Sequence, residues 1–202
     1  MSTRSAALQG FLDALAAALR HRAAPGSAPG RVTDRILAAL AAPGDCPPHQ
    51  GRRLPVCRYF EPAVETSRAA GGPTARLAEA LAALEPELVW ATRQGAEAHG
   101  RAFLEGHANA TIVGSVGIER RDDLWIGVSL MAPGLTYPDH HHPPEEVYSV
   151  LSPGDWRQGA GPWHEPGIGG LVHNPPDIVH AMRSGEAPLL ATWALWVERS
   201  QR

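Results

Sequence analysis

Cysteine is scarce. Cys46 and Cys57 are the only two in 202 residues, and they form neither a CxxC pair nor a dense framework. This excludes a disulfide scaffold and points to free thiols in a reducing compartment. An excess of either charge is also lacking: 18 Lys+Arg against 21 Asp+Glu leave a net charge of -3 with histidines neutral. No basic stripe appears, so a nucleic-acid footprint is not expected. No run approaches the roughly 20 apolar residues that span a bilayer. Near the N-terminus, Gln9, Gly10 and Asp13 interrupt the apolar residues, so the segment does not read as a secretion signal. The sequon at Asn109-Ala110-Thr111 therefore carries little weight. These absences predict a cytoplasmic protein with no membrane and no nucleic-acid partner. The length suits one domain, or one domain with a helical extension, and suffices for a real core.

The first half is rich in alanine and reads as helix. Leu8, Phe11, Leu12, Leu15 and Leu19 make one apolar stripe at helical spacing. "HRAAPGSAPGR" stops that helix with two Pro-Gly steps. "VTDRILAALAAPG" predicts a second helix, "LPVCRYFEP" an extended segment, and "PTARLAEALAALEPE" a third helix capped by Thr74. From about residue 88 the texture changes to short β-prone runs: "LVWATR", "ATIVG", "LWIGVSLM", "EVYSVLS", "GLVHNP" and "LLATWALWVE". Turn signals such as "APG", "SPGD" and "EPGIGG" separate them, which suggests an antiparallel barrel or sandwich. Helices followed by strands place the chain in the α+β class, mainly β with N-terminal helices. The expected division is a helical extension over 1–87 and a barrel over 88–202. The helices are expected to pack outside the barrel and help close its mouth, because their stripes need a surface to bury.

The densest chemistry lies in "YPDHHHPPEEVY", Tyr137 to Tyr148. His140 and His142 alternate, so on an extended chain both point to one face. Glu146, Tyr148 and Val150 share a face in the following strand by the same rule. The double proline between can turn the two faces toward each other. Imidazole with carboxylate suits Fe, Mn, Ni or Zn, and a third histidine is wanted. His180, in "NPPDIVHAMR", is the candidate. Elsewhere the plainer reading holds. Glu145 should point outward into solvent, Cys57 should be buried, and His164 and His173 should be surface or supporting residues. "ERRDD", Glu119 to Asp123, reads as a solvated turn, and Trp125 as core.

"GLTYPDHHHPPE" resembles the first cupin motif at Gly134, His140, His142 and Glu146, with the closing glycine displaced by one to Gly154. "GGLVHNPPDIVH" resembles the second at Gly169, Pro175 and His180. Asp177 stands where that motif usually has glycine, and Ser184 where it usually has asparagine. The longer stretches "MAPGLTYPDHHHPPEEVYSVLSPGDW" and "NPPDIVHAMRSGEAPLLATWALW" are similar to the cupin-type dimethylsulfoniopropionate lyases of marine bacteria. That resemblance implies a double-stranded β-helix barrel behind a helical extension. It implies one divalent transition metal on His142, Glu146 and His180, with Tyr148 close enough to approach it. His140 and Tyr137 would line the pocket, and His140 could be a fourth ligand. His141 has no implied role.

The implied reaction is a β-elimination from a sulfonium carboxylate, a small-molecule substrate, giving acrylate and dimethyl sulfide. Tyr148 is the first candidate for the base and Tyr137 the second. A free phenol, with a pKa of about 10, needs a nearby cation to serve. The sulfonium end suits an aromatic face, for which Trp193 and Trp196 are candidates. Strand alternation sends these two to opposite faces, so one of them should line the pocket. The chain would act as monomer or homodimer. The competing readings are an iron oxygenase or isomerase on the same barrel, and a non-catalytic cupin that binds a small ligand.

Overall fold

The structure, a computed structural model, describes residues 3–197. Helix α1 (Ala6–Arg22) is capped by the Ser5 hydroxyl, which accepts from the Leu8 N–H. Its expected stripe is buried throughout, and it packs beside α4 (Gly72–Leu84). Helix α2 (Ala28–Leu40) starts earlier than its apolar pattern suggests. Ser27 caps it, and the second Pro-Gly step lies inside its first turn, where proline's missing N–H costs nothing.

"LPVCRYFEP" is not extended. Pro55–Tyr59 is a 3-10 turn that runs into α3 (Phe60–Ala70). Pro55 again sits in a first turn, and buried Phe60, Ala63, Val64 and Ser67 recur at helical spacing, a period masked by the short window. Nor does Thr74 cap α4. Gly71 does, at φ 70°, and Thr74 instead lies against Gly169 of the barrel. "LVWATR" joins neither sheet and is held by isolated bridges from Val89 to Arg52 and from Ala91 to Asn109. A short helix α5 (Arg101–Gly106) precedes the first strand.

Among the described residues eight antiparallel strands follow: β1 (His107–Val113), β2 (Leu124–Met131), β3 (Thr136–His140), β4 (Glu145–Val150), β5 (Asp155–Gln158), β6 (Leu171–Asn174), β7 (His180–Arg183) and β8 (Leu189–Trp196). They form a five-stranded sheet, β1-β2-β8-β4-β6, and a three-stranded sheet, β3-β7-β5. This is the cupin barrel that the two motifs imply. Alternation along β4 shows how it is filled. Val147 joins the cluster that holds Leu15, Leu19, Leu77 and Leu81 of the helices, whereas Tyr148 and Val150 join the interior with Trp156 and Met182. The helices thus cover the outer face of the five-stranded sheet.

Two charged features differ from the sequence reading. Glu119 is fully buried, not solvated. It pairs with Arg4 at 2.6 Å and accepts the Gly44 N–H at 2.8 Å, while Arg121 grips Asp123 at 2.8 Å. This knot ties the N-terminal segment to the barrel. Glu145 does point away from the barrel interior, but onto protein: it bonds Arg35 of α2 and His173 of β6. Cys57 is buried as expected. Among the described residues no helix is long and apolar enough to cross a membrane.

Candidate active site

Barrel register assembles the polar cluster. His140 of β3 lies directly opposite His180 of β7, and Glu146 of β4 lies opposite Asn174 of β6. His142 follows in the Pro143-Pro144 turn. Side-chain atoms of His142, Glu146 and His180 come within 4.8 Å of one another. The Nε2 atoms of both histidines stand 3.4 Å from Glu146 Oε2.

Each ring is oriented from behind. Nδ1 of His140, His142 and His180 lies 2.9 Å from the carbonyl of Pro138, Pro144 and Ile178 respectively. A carbonyl only accepts, so each Nδ1 carries a proton and Nε2 is left as the atom of each ring that can serve the cluster. Glu146 is held by the Asn174 amide at 2.8 Å, and Asn174 in turn accepts from Gln158 at 2.6 Å.

The charges follow from burial and partners. Burial pushes His140 down to about 3, helped by His180. Burial also lowers His180, outweighing Glu146. Burial would lower His142 as well, but its contact with Glu146 raises it above the usual imidazole value. Burial opposes ionisation of Glu146, yet His142, His180 and Asn174 hold its carboxyl below the ordinary range. The cluster therefore combines an anionic carboxylate with two neutral imidazoles, His140 and His180, and with His142, whose charged form Glu146 favours.

These residues fit a divalent ion. His180 Nε2 is buried and makes no hydrogen bond, although Glu146 Oε2 lies 3.4 Å away. A buried, unsatisfied polar atom costs about 1–3 kcal/mol. A cation shared by the three side chains removes that cost, and a nitrogen and oxygen donor set suits first-row transition metals. His140 stands beside this set, its ring 4.1 Å from that of His180 and 4.8 Å from that of Tyr137 between centroids.

A cavity of about 260 Å³ opens on the cluster. Tyr137 and Tyr148 both line it and both are buried. Burial, and then Glu146, push the Tyr148 phenol well above its ordinary value. Burial also raises Tyr137, against Asn109 and Arg93. Trp193 lines the cavity, whereas Trp196 faces α2, with the Arg35 guanidinium 5.6 Å from its ring. Gly127 makes room for the Trp193 indole: a Cβ there would sit 2.3 Å from Cζ2. The indole N–H donates to Ser129, and Ser129 donates to Asn109. Asn109 reaches the Tyr137 hydroxyl at 3.4 Å.

Several cavity residues carry no sequence signal. Arg93, Asn109 and Ser129 lie outside both motifs. Trp125, expected in the core, is 38% exposed and lines the cavity. It sits on β2, one residue before core Ile126, and alternation could have placed it. Among the described residues none before Arg93 lines the cavity, so the N-terminal helices form no part of its wall. A larger groove of about 510 Å³ beside α1 holds no comparable ligand cluster among the described residues.

Comparison with known proteins agrees with this geometry. The family model for dimethylsulfoniopropionate lyase matches residues 28–191. A Cereibacter sphaeroides protein with the provisional name dimethylsulfoniopropionate lyase DddL is 29% identical over 168 residues, spanning 83% of this chain and 68% of that protein. Dimethylsulfoniopropionate lyase DddQ of Ruegeria pomeroyi is 33% identical over 98 residues, 48% of each. Among solved structures, a chain from the crystal structures of the lyases RdDddP and RnDddQII superposes with a TM-score of 0.72 at 25% identity. That match covers 95% of this chain and 93% of the other. The DddQ structure from Ruegeria pomeroyi shares the fold with a TM-score of 0.73 at 24% identity, covering 98% and 95%.

Proposed function

Because the chain belongs to the dimethylsulfoniopropionate lyase family, we propose that this cavity cleaves dimethylsulfoniopropionate, using one divalent transition metal held by His142, Glu146 and His180. The observation that carries the metal assignment is the buried His180 Nε2 without a partner, facing Glu146 and His142. His140 either takes a fourth position or stands just outside it. Fe, Zn, Mn and Ni all suit these donors.

The reaction is a β-elimination. A base takes a proton from the carbon next to the carboxylate, that C–H pair forms the new C=C bond, and the C–S bond breaks with its electrons leaving on sulfur. The products are acrylate, neutral dimethyl sulfide and the protonated base. Neutral dimethyl sulfide is a good leaving group, so the weakly acidic C–H sets the difficulty. A bound divalent ion supplies a Lewis acid, stabilising negative charge as it develops on the substrate and lowering the pKa of a neighbouring phenol.

Tyr148 is the base in this reading. It follows Glu146 by two residues, so the strand aims both side chains into the same cavity. Tyr137, on the β3 wall, is the second candidate. The face of Trp193 receives the sulfonium by cation–π attraction. Its N–H is already committed to Ser129, which fixes the ring. Cytoplasmic placement, action as monomer or homodimer, and the lack of a nucleic-acid partner complete the proposal. They rest on the scarcity of cysteine, with no disulfide between Cys46 and Cys57, and on the balanced charge.

Product identity is the test. Metal-loaded protein given dimethylsulfoniopropionate should release dimethyl sulfide into the headspace and acrylate into solution in equal amounts. Oxygen-dependent turnover, or no sulfide at all, would point instead to an oxygenase or a binding protein on the same barrel.

A further inference from the structure

We propose that Arg93 is the group that binds the substrate's carboxylate. The inference rests on the lyase reading for the identity of the substrate, but its evidence is separate. The backbone at Arg93 is fixed, since its N–H donates to His107 Nε2 at 3.1 Å and the neighbouring Ala91 bridges to Asn109 of β1. The side chain lines the cavity, with the guanidinium carbon 5.5 Å from the centroid of the Tyr137 ring. Its Nη1 is buried and has no hydrogen-bond acceptor.

Three other arginines on the barrel are satisfied by acids, and Arg120 donates to the Ser115 carbonyl. Arg121 pairs with Asp123, Arg157 with Asp139 and Arg183 with Asp155. Arg4 pairs with buried Glu119. Arg93 has no such ion pair among the described residues. Glu146 is the carboxylate that lines this cavity, and it is occupied by His142, His180 and Asn174. A cation at a cavity wall with an unused buried donor is costly unless an anion completes it. The planar guanidinium matches a carboxylate through two parallel N–H···O bonds, which an ammonium could not supply.

The cavity would then read both ends of a zwitterion. Arg93 takes the carboxylate, and the Trp193 face on β8 takes the sulfonium. The carbon that loses its proton is bonded directly to the carboxylate. Anchoring that group at Arg93 therefore places the reacting C–H beside the tyrosine wall. It also explains how the site would refuse sulfonium or ammonium compounds that lack the acid.

Propionate, the saturated analogue of the acrylate product, tests this without turnover. Its binding to metal-stripped protein is measured by titration calorimetry. Arg93→Met should weaken propionate at least tenfold, and Arg93→Lys should retain an intermediate affinity. Propionamide, uncharged and of the same shape, should be insensitive to both substitutions. In metal-loaded enzyme, Arg93→Met should raise KM for dimethylsulfoniopropionate by more than it lowers kcat. Should Arg93→Met fail to fold, the Lys variant carries the comparison. Propionate binding that survives the loss of Arg93, or that requires the metal, would overturn the proposal. Arg93-dependent propionate binding in a protein that releases no dimethyl sulfide would overturn the lyase reading alone. Normal lyase activity with Arg93-independent propionate binding would overturn this inference alone.

Discussion

Replacing Tyr148 by phenylalanine removes one oxygen and little else. The ring stays in place opposite Trp193 and Val172 and 6.2 Å from Trp156. The cost to stability should therefore be within the ~0.5–1.5 kcal/mol of one hydrogen bond. The cost to catalysis should be far larger. An ordinary phenol at pH 8 lies about two units below its pKa, so forming phenolate costs about 2.7 kcal/mol. Here burial and Glu146 raise that cost further in the absence of a cation. In the proposed mechanism a bound ion would reverse this shift, so the phenol would serve as base only in loaded protein. Removing a positioned acid–base group lowers kcat by roughly 10²–10⁴, equivalent to about 2.7–5.4 kcal/mol in the barrier. The assay is headspace dimethyl sulfide from Tyr148→Phe at matched metal content, with Tyr137→Phe alongside. A small loss at Tyr148 and a large loss at Tyr137 would move the base to β3. Near-wild-type rates in both would remove phenols from the mechanism.

Two further outcomes follow from the groups behind the site. Asn174→Leu takes away the amide that holds Glu146 at 2.8 Å; metal affinity, read by chelator competition, should fall about 10–100-fold with the fold intact. Burial opposes ionisation of Glu119, but Arg4, the Gly44 N–H and Arg121 together hold its carboxyl below the usual carboxylate range. The unfolded chain then takes up the proton first. The stability due to this carboxylate is full above the unfolded value of about 4.3 and is lost as pH falls through the lower folded value. Arg4→Ala should cost up to about 3–5 kcal/mol near neutrality, because the buried carboxylate then keeps only the Gly44 N–H and Arg121 at 3.7 Å. Chemical denaturation across pH 3–7 checks both the size and the direction.

Much of the cluster was legible because strand period 2 is simple and local. Glu146 and Tyr148 had to share a face, and both line the cavity. The motif spacing that joined His142 to His180 reflects a register in which β3 and β7 pair directly. Even the departure at Asp177 has a physical reason. Its φ is 59°, a left-handed position normally given to glycine, and aspartate is among the residues that tolerate it. What was hidden depends on contacts distant in sequence. Arg93 ends an apolar run and reaches the cavity only because a bridge to β1 places it there. Glu119 looks solvated until Arg4, 115 residues away, returns to it. The 3-10 turn and helix after Leu54 were obscured because two aromatic residues and a proline imitate a strand over so short a window.

Titration of metal into stripped protein, with bound ion and dimethyl sulfide release followed in the same samples, bears most directly on the central claim. Activity should rise linearly with ion and stop at one equivalent per chain. Glu146→Gln and His180→Ala should bind ion far more weakly and release no sulfide when folded. Full activity in protein shown to be metal-free, or one tightly bound ion in the His180→Ala variant, would contradict the account.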